Sequence, residues 1–152
     1  MAEKKVGSDE SFEHFNAMNA RHIIEKQMLG NDLFSQWAAM EITHIDKDSV
    51  SLTMQIRDEM TNGFKISHGG ILYSLCDSAL AFAANSYGRK AVTIQASMSY
   101  IRPTKTGDKV RAIAKVRERS KTLAHYEVLV HSDSGRLLSI FEGTVYFTGD
   151  HW

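Results

Sequence analysis

The stretch Asn62-Gly-Phe-Lys-Ile-Ser-His68-Gly-Gly-Ile-Leu-Tyr-Ser-Leu-Cys-Asp77-Ser-Ala-Leu-Ala-Phe-Ala-Ala84 decides how this chain is read. Between Ile66 and Ala84 the ionisable residues of note are His68 and Asp77, set in a mostly apolar run. His-Gly-Gly opening onto a helix-length apolar segment presents bare backbone N–H groups and the positive end of a helix to whatever docks there. Asp77 follows the histidine among Leu, Cys and Ala side chains. Burying a carboxylate without a partner is costly, and groups held in such places are often acids or bases at work. The pattern points to a catalytic helix.

Outward from this segment, periodicity switches twice. Leu72, Leu75, Cys76, Ala79, Phe82 and Ala83 form one wide apolar stripe at helical spacing, running on to about Tyr87-Gly88. Before it, Ile42, His44 and Asp46 lead through Lys47-Asp48 to Val50, Leu52, Met54 and Ile56, which alternate with polar residues as a hairpin with one buried face does. After it come four strand-like stretches. Val92, Ile94, Ala96, Met98 and Tyr100 alternate before Arg102-Pro103, and Val110, Ala112, Ala114 and Val116 alternate next. Tyr126, Val128 and Val130 follow, then the turn Asp133-Ser-Gly135 and an apolar run from Leu137 to Phe147. At the front, residues 1–9 are polar and expected to fray. Phe12, Phe15, Met18, Ile23 and Met28 predict a helix from about Ser11 to Leu29, closed by Gly30. The expectation is an α+β fold, a largely antiparallel sheet wrapped around one central helix. A tail and helix over 1–30 precede the main unit over 31–152, the whole making a single domain.

Composition narrows the function classes. Eighteen basic and eighteen acidic residues balance in 152, so no overall field favours nucleic acid or an anionic membrane. No apolar run approaches the roughly 20 residues needed to span a bilayer, and the N-terminus lacks the apolar core of a secretion signal. One cysteine, Cys76, precludes an internal disulfide and fits the reducing cytoplasm. It sits on the apolar stripe with no basic neighbour to activate it, so it reads as a small buried hydrophobe. His14 and His22, and His125 and His131, show no metal-ligand pattern. Lys115, Arg117, Arg119 and Lys121 recur at alternate positions, as either a solvated strand face or a phosphate-facing row would.

Asn62-Gly, His68-Gly-Gly, Leu75-Cys-Asp77-Ser-Ala and Asn85-Ser-Tyr-Gly together resemble the phenylacetate-pathway (PaaI-type) branch of the hotdog-fold acyl-CoA thioesterases. The match continues through Tyr100-Ile-Arg-Pro103, Gly107-Asp108 and Ser120-Lys-Thr122, covering about residues 28–148. This resemblance implies a hotdog fold that hydrolyses aryl- or fatty-acyl-CoA without a cofactor. It implies the Gly69 N–H as oxyanion donor, Asp77 as general base or nucleophile, Asn62 and His68 as positioning groups, and Thr93 as a hydroxyl assisting the carboxylate. Gly70, Gln95, Tyr100, Arg119, Ser120, Lys121 and Thr122 match its substrate contacts, and its assemblies are homodimers that pair into tetramers. The competing reading is a non-catalytic acyl-CoA-binding hotdog module; Asp77 and Asn62 standing together favour the enzyme.

Spacing adds a constraint. Gly69 and Asp77 are eight residues apart, about 12 Å along a helix, so both cannot meet one carbonyl from the same chain. Each site is expected to combine Gly69 of one chain with Asp77 of a two-fold partner.

Overall fold

The computed structural model describes Phe12 and residues 14–152. Its centre is a 17-residue helix, α3 (Gly69–Asn85), packed into one six-stranded antiparallel sheet. In chain order the strands are β1 (Glu41–Asp46), β2 (Ser49–Gln55), β3 (Arg89–Tyr100), β4 (Lys109–Arg119), β5 (Leu123–Ser132) and β6 (Leu137–His151). They lie side by side as β1-β2-β4-β5-β6-β3, so β1 and β3 are the free edges. This is the hotdog arrangement, and every predicted strand is present.

The helix buries Leu72, Leu75, Cys76, Ala79, Leu80, Phe82 and Ala83 against Val50, Leu52, Val110, Ala112, Ala114, Val128 and Phe141 of the sheet. The alanines keep the helix close to the strands. At Gly143 on β6 the approach is tight: an added Cβ would lie 2.4 Å from Leu80 Cδ1. The helix ends where Asn85, itself buried, donates to the carbonyls of Ala81 and Ala91. Gly88 then turns left-handed, at φ +88°, to start β3.

Two features of the strands depart from simple alternation. A bulge between Thr93 and Gln95 shifts the β3–β6 register. Thr93 therefore faces α3, while Val92 and Ile94 are exposed and Ala96 and Met98 pack inward. The even-numbered row expected to share one face is split between two. A second bulge, between Val116 and Glu118, does the same on β4. It separates the basic row: Arg117 stays outside and pairs with Glu127, while Arg119 is turned largely out of solvent.

The N-terminal region is also corrected. The long helix expected from about Ser11 begins instead at α1 (Ala17–His22), because Asn16 caps it by accepting from Asn19 N–H at 3.0 Å. It widens into π-type turns over Ile23–Met28 and tightens to a 3-10 turn over Leu29–Asn31. There the Asn31 side chain, donating to Gln27 O, does the closing expected of Gly30. Met18 is 82% exposed, whereas Phe12 is buried against Phe147 and Tyr87. The short helix α2 (Leu33–Trp37), capped by Asp32, follows. Residues 1–9, expected to fray, lie outside the described residues.

Replacing Gly143 by Ala should lower the unfolding free energy by about 1–3 kcal/mol, because the fully buried Leu80 side chain would have to shift to admit the methyl group. Urea denaturation checks this. Unchanged stability would mean the helix does not seat on the sheet at this point.

Candidate active site

α3 opens on its own cap. His68 Nδ1 accepts from Gly70 N–H at 3.0 Å, which leaves the neutral ring's proton on Nε2. Its backbone N–H is bonded to Met60 O and its carbonyl accepts from Ile71 N–H. The N–H of Gly69, first in the helix, has no hydrogen-bond partner among the described residues. It is one of the orphan donors every helix start leaves, aimed outward along the positive end of the dipole. Tyr100 closes over this point: its hydroxyl donates to Gly69 O at 2.8 Å. A Cβ on Gly69 would lie 3.1 Å from that oxygen, so glycine is what admits the tyrosine. Partial burial raises the Tyr100 phenol above its ordinary range, keeping it a donor.

The approach to His68 is a tight loop built by Asn62. Asn62 Oδ1 accepts from Phe64 N–H, its N–H donates to Ile66 O, and its carbonyl accepts from Lys65 N–H. Lys65 takes a left-handed φ of +61° to complete the turn, and Phe64 stands at the tip, 85% exposed. Asn62 thus shapes the loop that sets His68 and Gly69 in place.

Two turns along α3, Asp77 is half-buried rather than marooned in the core. Thr93 Oγ1 donates to its Oδ1 at 3.0 Å, and no other hydrogen-bond partner of Asp77 occurs among the described residues. Asp77 also lines an open groove of about 310 Å3 beside the helix. The β3 bulge makes this pairing, since regular alternation from Ala96, Met98 and Tyr100 would put Thr93 on the other face. Cys76, next to it, is fully buried, and burial, with the Asp77 charge adding, holds its thiol far above the usual range.

The remaining candidates fall elsewhere. Gln95 lies on the outer sheet face, in a row with Thr144 and His125. Ser120, Lys121 and Thr122 form the β4–β5 turn, closed by Ser120 N–H to Leu123 O and Phe147 N–H to Thr122 O. Ladder register runs Thr93–Val145–Ala124–Arg119, so this turn is about three strand spacings, or ~14 Å, from Thr93. Arg119 itself is committed inside the chain. Its guanidinium pairs with Asp48 at 2.8 Å and stacks between the rings of Phe12 and Tyr87, 4.7 and 4.4 Å away. Tyr87 also donates to Asp48, and burial followed by this bond pushes its phenol up to about 12. Within one chain, then, Asn62, His68, Gly69, Gly70 and Tyr100 form one cluster, Asp77 and Thr93 a second, and the 120–122 turn a third. Met28 and Trp152 also line the groove beside Asp77; no local sequence pattern links them to α3.

A six-stranded antiparallel sheet wrapped around one central helix is the architecture of the hotdog fold. The chain belongs to the thioesterase superfamily, whose family model matches residues 64–139. It is 31% identical over 122 residues to the acyl-coenzyme A thioesterase PaaI of Escherichia coli, covering 80% of this chain and 87% of that protein. Human acyl-coenzyme A thioesterase 13 is 30% identical over 89 residues, 57% of this chain and 64% of the relative. The solved structure of Escherichia coli PaaI superposes with a TM-score of 0.85 at 29% identity, covering 89% of this chain and 97% of that one. A Streptococcus mutans protein solved with acetyl CoA gives 0.72 at 25% identity, covering 74% of this chain and 91% of that one.

The buried thiol generates a simple expectation. Cys76 should not react with a disulfide reagent in the native protein and should react fully in concentrated guanidinium. Rapid native labelling at mildly alkaline pH would contradict the packing described.

Proposed function

We propose that this protein hydrolyses acyl-CoA, releasing free acid and CoA, at a site shared between two copies of the chain. One observation carries the reading. A single rigid helix bears an unpaired N–H at Gly69 and, about 12 Å on, a carboxylate bonded on one oxygen by Thr93 and free on the other. A thioester carbonyl gathers negative charge as it becomes tetrahedral, and a preorganised N–H aimed there contributes roughly 3 kcal/mol. The free oxygen of Asp77 activates water or attacks directly. Thiolate leaves readily, so one donor and one carboxylate suffice. His68 and Tyr100 position the Gly69 peptide from either side, and Asn62 sets the loop before it. The relatives' names and the acetyl-CoA complex of a neighbour support the substrate class.

The spacing along α3 calls for the second copy, and the free edge of β3 offers its place. The outer side of the twelve-residue strand β3, with exposed Val92 and Ile94, leaves backbone groups of alternate residues open as a template for pairing. Antiparallel β3–β3 pairing continues the sheet and lays the two α3 helices side by side in opposite directions, Gly69 of one toward Asp77 of the other. The row Ile113, Leu129 and Ile140 on the outer sheet face suits the pairing of dimers into a tetramer. Ser120, Lys121 and Thr122 hold the coenzyme phosphates at the turn. Arg119 supports that turn from beneath through Asp48, and Gln95 steadies the outer face. A buried, unpaired cysteine fits residence in the reducing cytoplasm.

Replacing Asp77 by Ala should leave the fold and oligomer intact and lower turnover about a hundredfold or more. Free-thiol release from a panel of aryl- and fatty-acyl-CoA substrates measures it. Wild-type turnover in the variant would end the catalytic assignment; tight binding without turnover by the wild type would make this a non-catalytic acyl-CoA module.

A further inference from the structure

One aromatic side chain from outside the sheet packs beneath the β4–β5 turn. Phe12 lies before α1, yet it is only 8% exposed. Its ring centroid is 4.9 Å from that of Phe147 and 5.6 Å from that of Tyr87. The guanidinium carbons of Arg119 and Arg89 lie 4.7 and 5.0 Å from the same ring. Phe15 adds a second edge-on contact with Tyr87, at 5.5 Å. Two of these partners carry the turn. Arg119 immediately precedes Ser120, and the Phe147 N–H donates to Thr122 O at 2.9 Å. Arg119 is in turn paired at 2.8 Å with Asp48, which also accepts from the Tyr87 hydroxyl. Phe12 therefore packs both on the ion pair at the start of the turn and on the strand residue that bonds its end.

Resting on the reading that Ser120, Lys121 and Thr122 hold the coenzyme phosphates, we infer that Phe12 is a positioning residue for coenzyme binding. Through it the N-terminal segment holds Arg119 and Phe147, so that the turn meets the phosphates already formed. Removing the ring would open the apolar stem and one contact face of Arg119 to water, and a long side chain freed in this way regains its rotamers. The Ser120 backbone, one peptide bond on, would loosen with it. A turn ordered in advance binds without first losing that freedom. The benefit is the same in the ground and transition states, because the turn is about three strand spacings, or ~14 Å, from Thr93 and the reacting carbonyl. Loss of Phe12 therefore weakens substrate binding and spares the chemical step.

The test compares wild type, Phe12→Ala and Phe12→Leu on hexanoyl-CoA and on S-hexanoyl-N-acetylcysteamine, which carries the thioester without the nucleotide. Phe12→Ala should raise KM for hexanoyl-CoA by roughly three- to tenfold, the scale of a lost cation–π contact and its packing. Its kcat should stay within about twofold of wild type, as a loss of uniform binding requires, and its kcat/KM on the truncated thioester should not change. Phe12→Leu keeps the apolar bulk but not the ring face, and should give a smaller rise of the same kind. If the alanine variant does not fold, the leucine variant carries the test. An unchanged KM for hexanoyl-CoA would overturn the inference and leave Phe12 a stability contact alone. An equal loss on both substrates would also overturn it, since the effect would then reach the reacting groups. Lys121→Ala separates this failure from that of the underlying reading. It should raise KM for hexanoyl-CoA on its own account, and if it does not, the phosphates lie elsewhere and the inference loses its ground. No hydrolysis of either thioester by the wild type would sink the hydrolase reading itself.

Discussion

An α-helix advances 1.5 Å per residue and bends little, and the account of this molecule depends on that stiffness. α3 runs unbroken from Gly69 to Asn85. Its first N–H and its one carboxylate are thereby kept on the same body and out of reach of each other. Every anchor around the helix defends that spacing. His68 and Tyr100 fix the start, Leu80 against Gly143 fixes the middle, and Asn85 with Trp152 fixes the end. A reaction needing both groups must then recruit a second helix. Under the proposed function dimerisation is then a geometric requirement, and β3 is one of the two free edges of the sheet.

Two bulges decide which side chains face the helix. Without the one at Thr93–Gln95, the hydroxyl now bonded to Asp77 would point to the outer face. Without the one at Val116–Glu118, Arg119 would join a solvated row instead of pairing with Asp48 between Phe12 and Tyr87. A bulge inserts one residue and reverses the parity of all that follows on its strand. On β3 that reversal turns Thr93 toward the helix, and on β4 it turns Arg119 toward Asp48, away from their exposed neighbours.

These bulges also explain what the sequence conceals. α3 and the six strands are legible because each rests on local periodicity or on a short motif. Thr93 was reached only through the family resemblance, as simple alternation from Ala96 to Tyr100 would have turned it outward. Arg119 was misplaced for the same reason on β4. In the N-terminal region, Asn16 sets the helix start, and Phe12 packs on Phe147 instead of opening a helical stripe. Trp152 reaches Asp77 only through tertiary packing, across a separation of 75 residues that no spacing rule spans.

The shared site is the claim on which the rest turns, and subunit mixing tests it most directly. Asp77→Ala removes the carboxylate, and Asn62→Ala disturbs the loop that sets Gly69. Each variant alone should be nearly inactive. After dissociation and random reassociation of equal amounts, half the dimers are mixed, and each carries one doubly defective and one intact site. About a quarter of wild-type activity should therefore return. Mixed dimers demonstrated by native mass spectrometry, with no activity regained, would place all the groups of a site within a single chain and contradict the account.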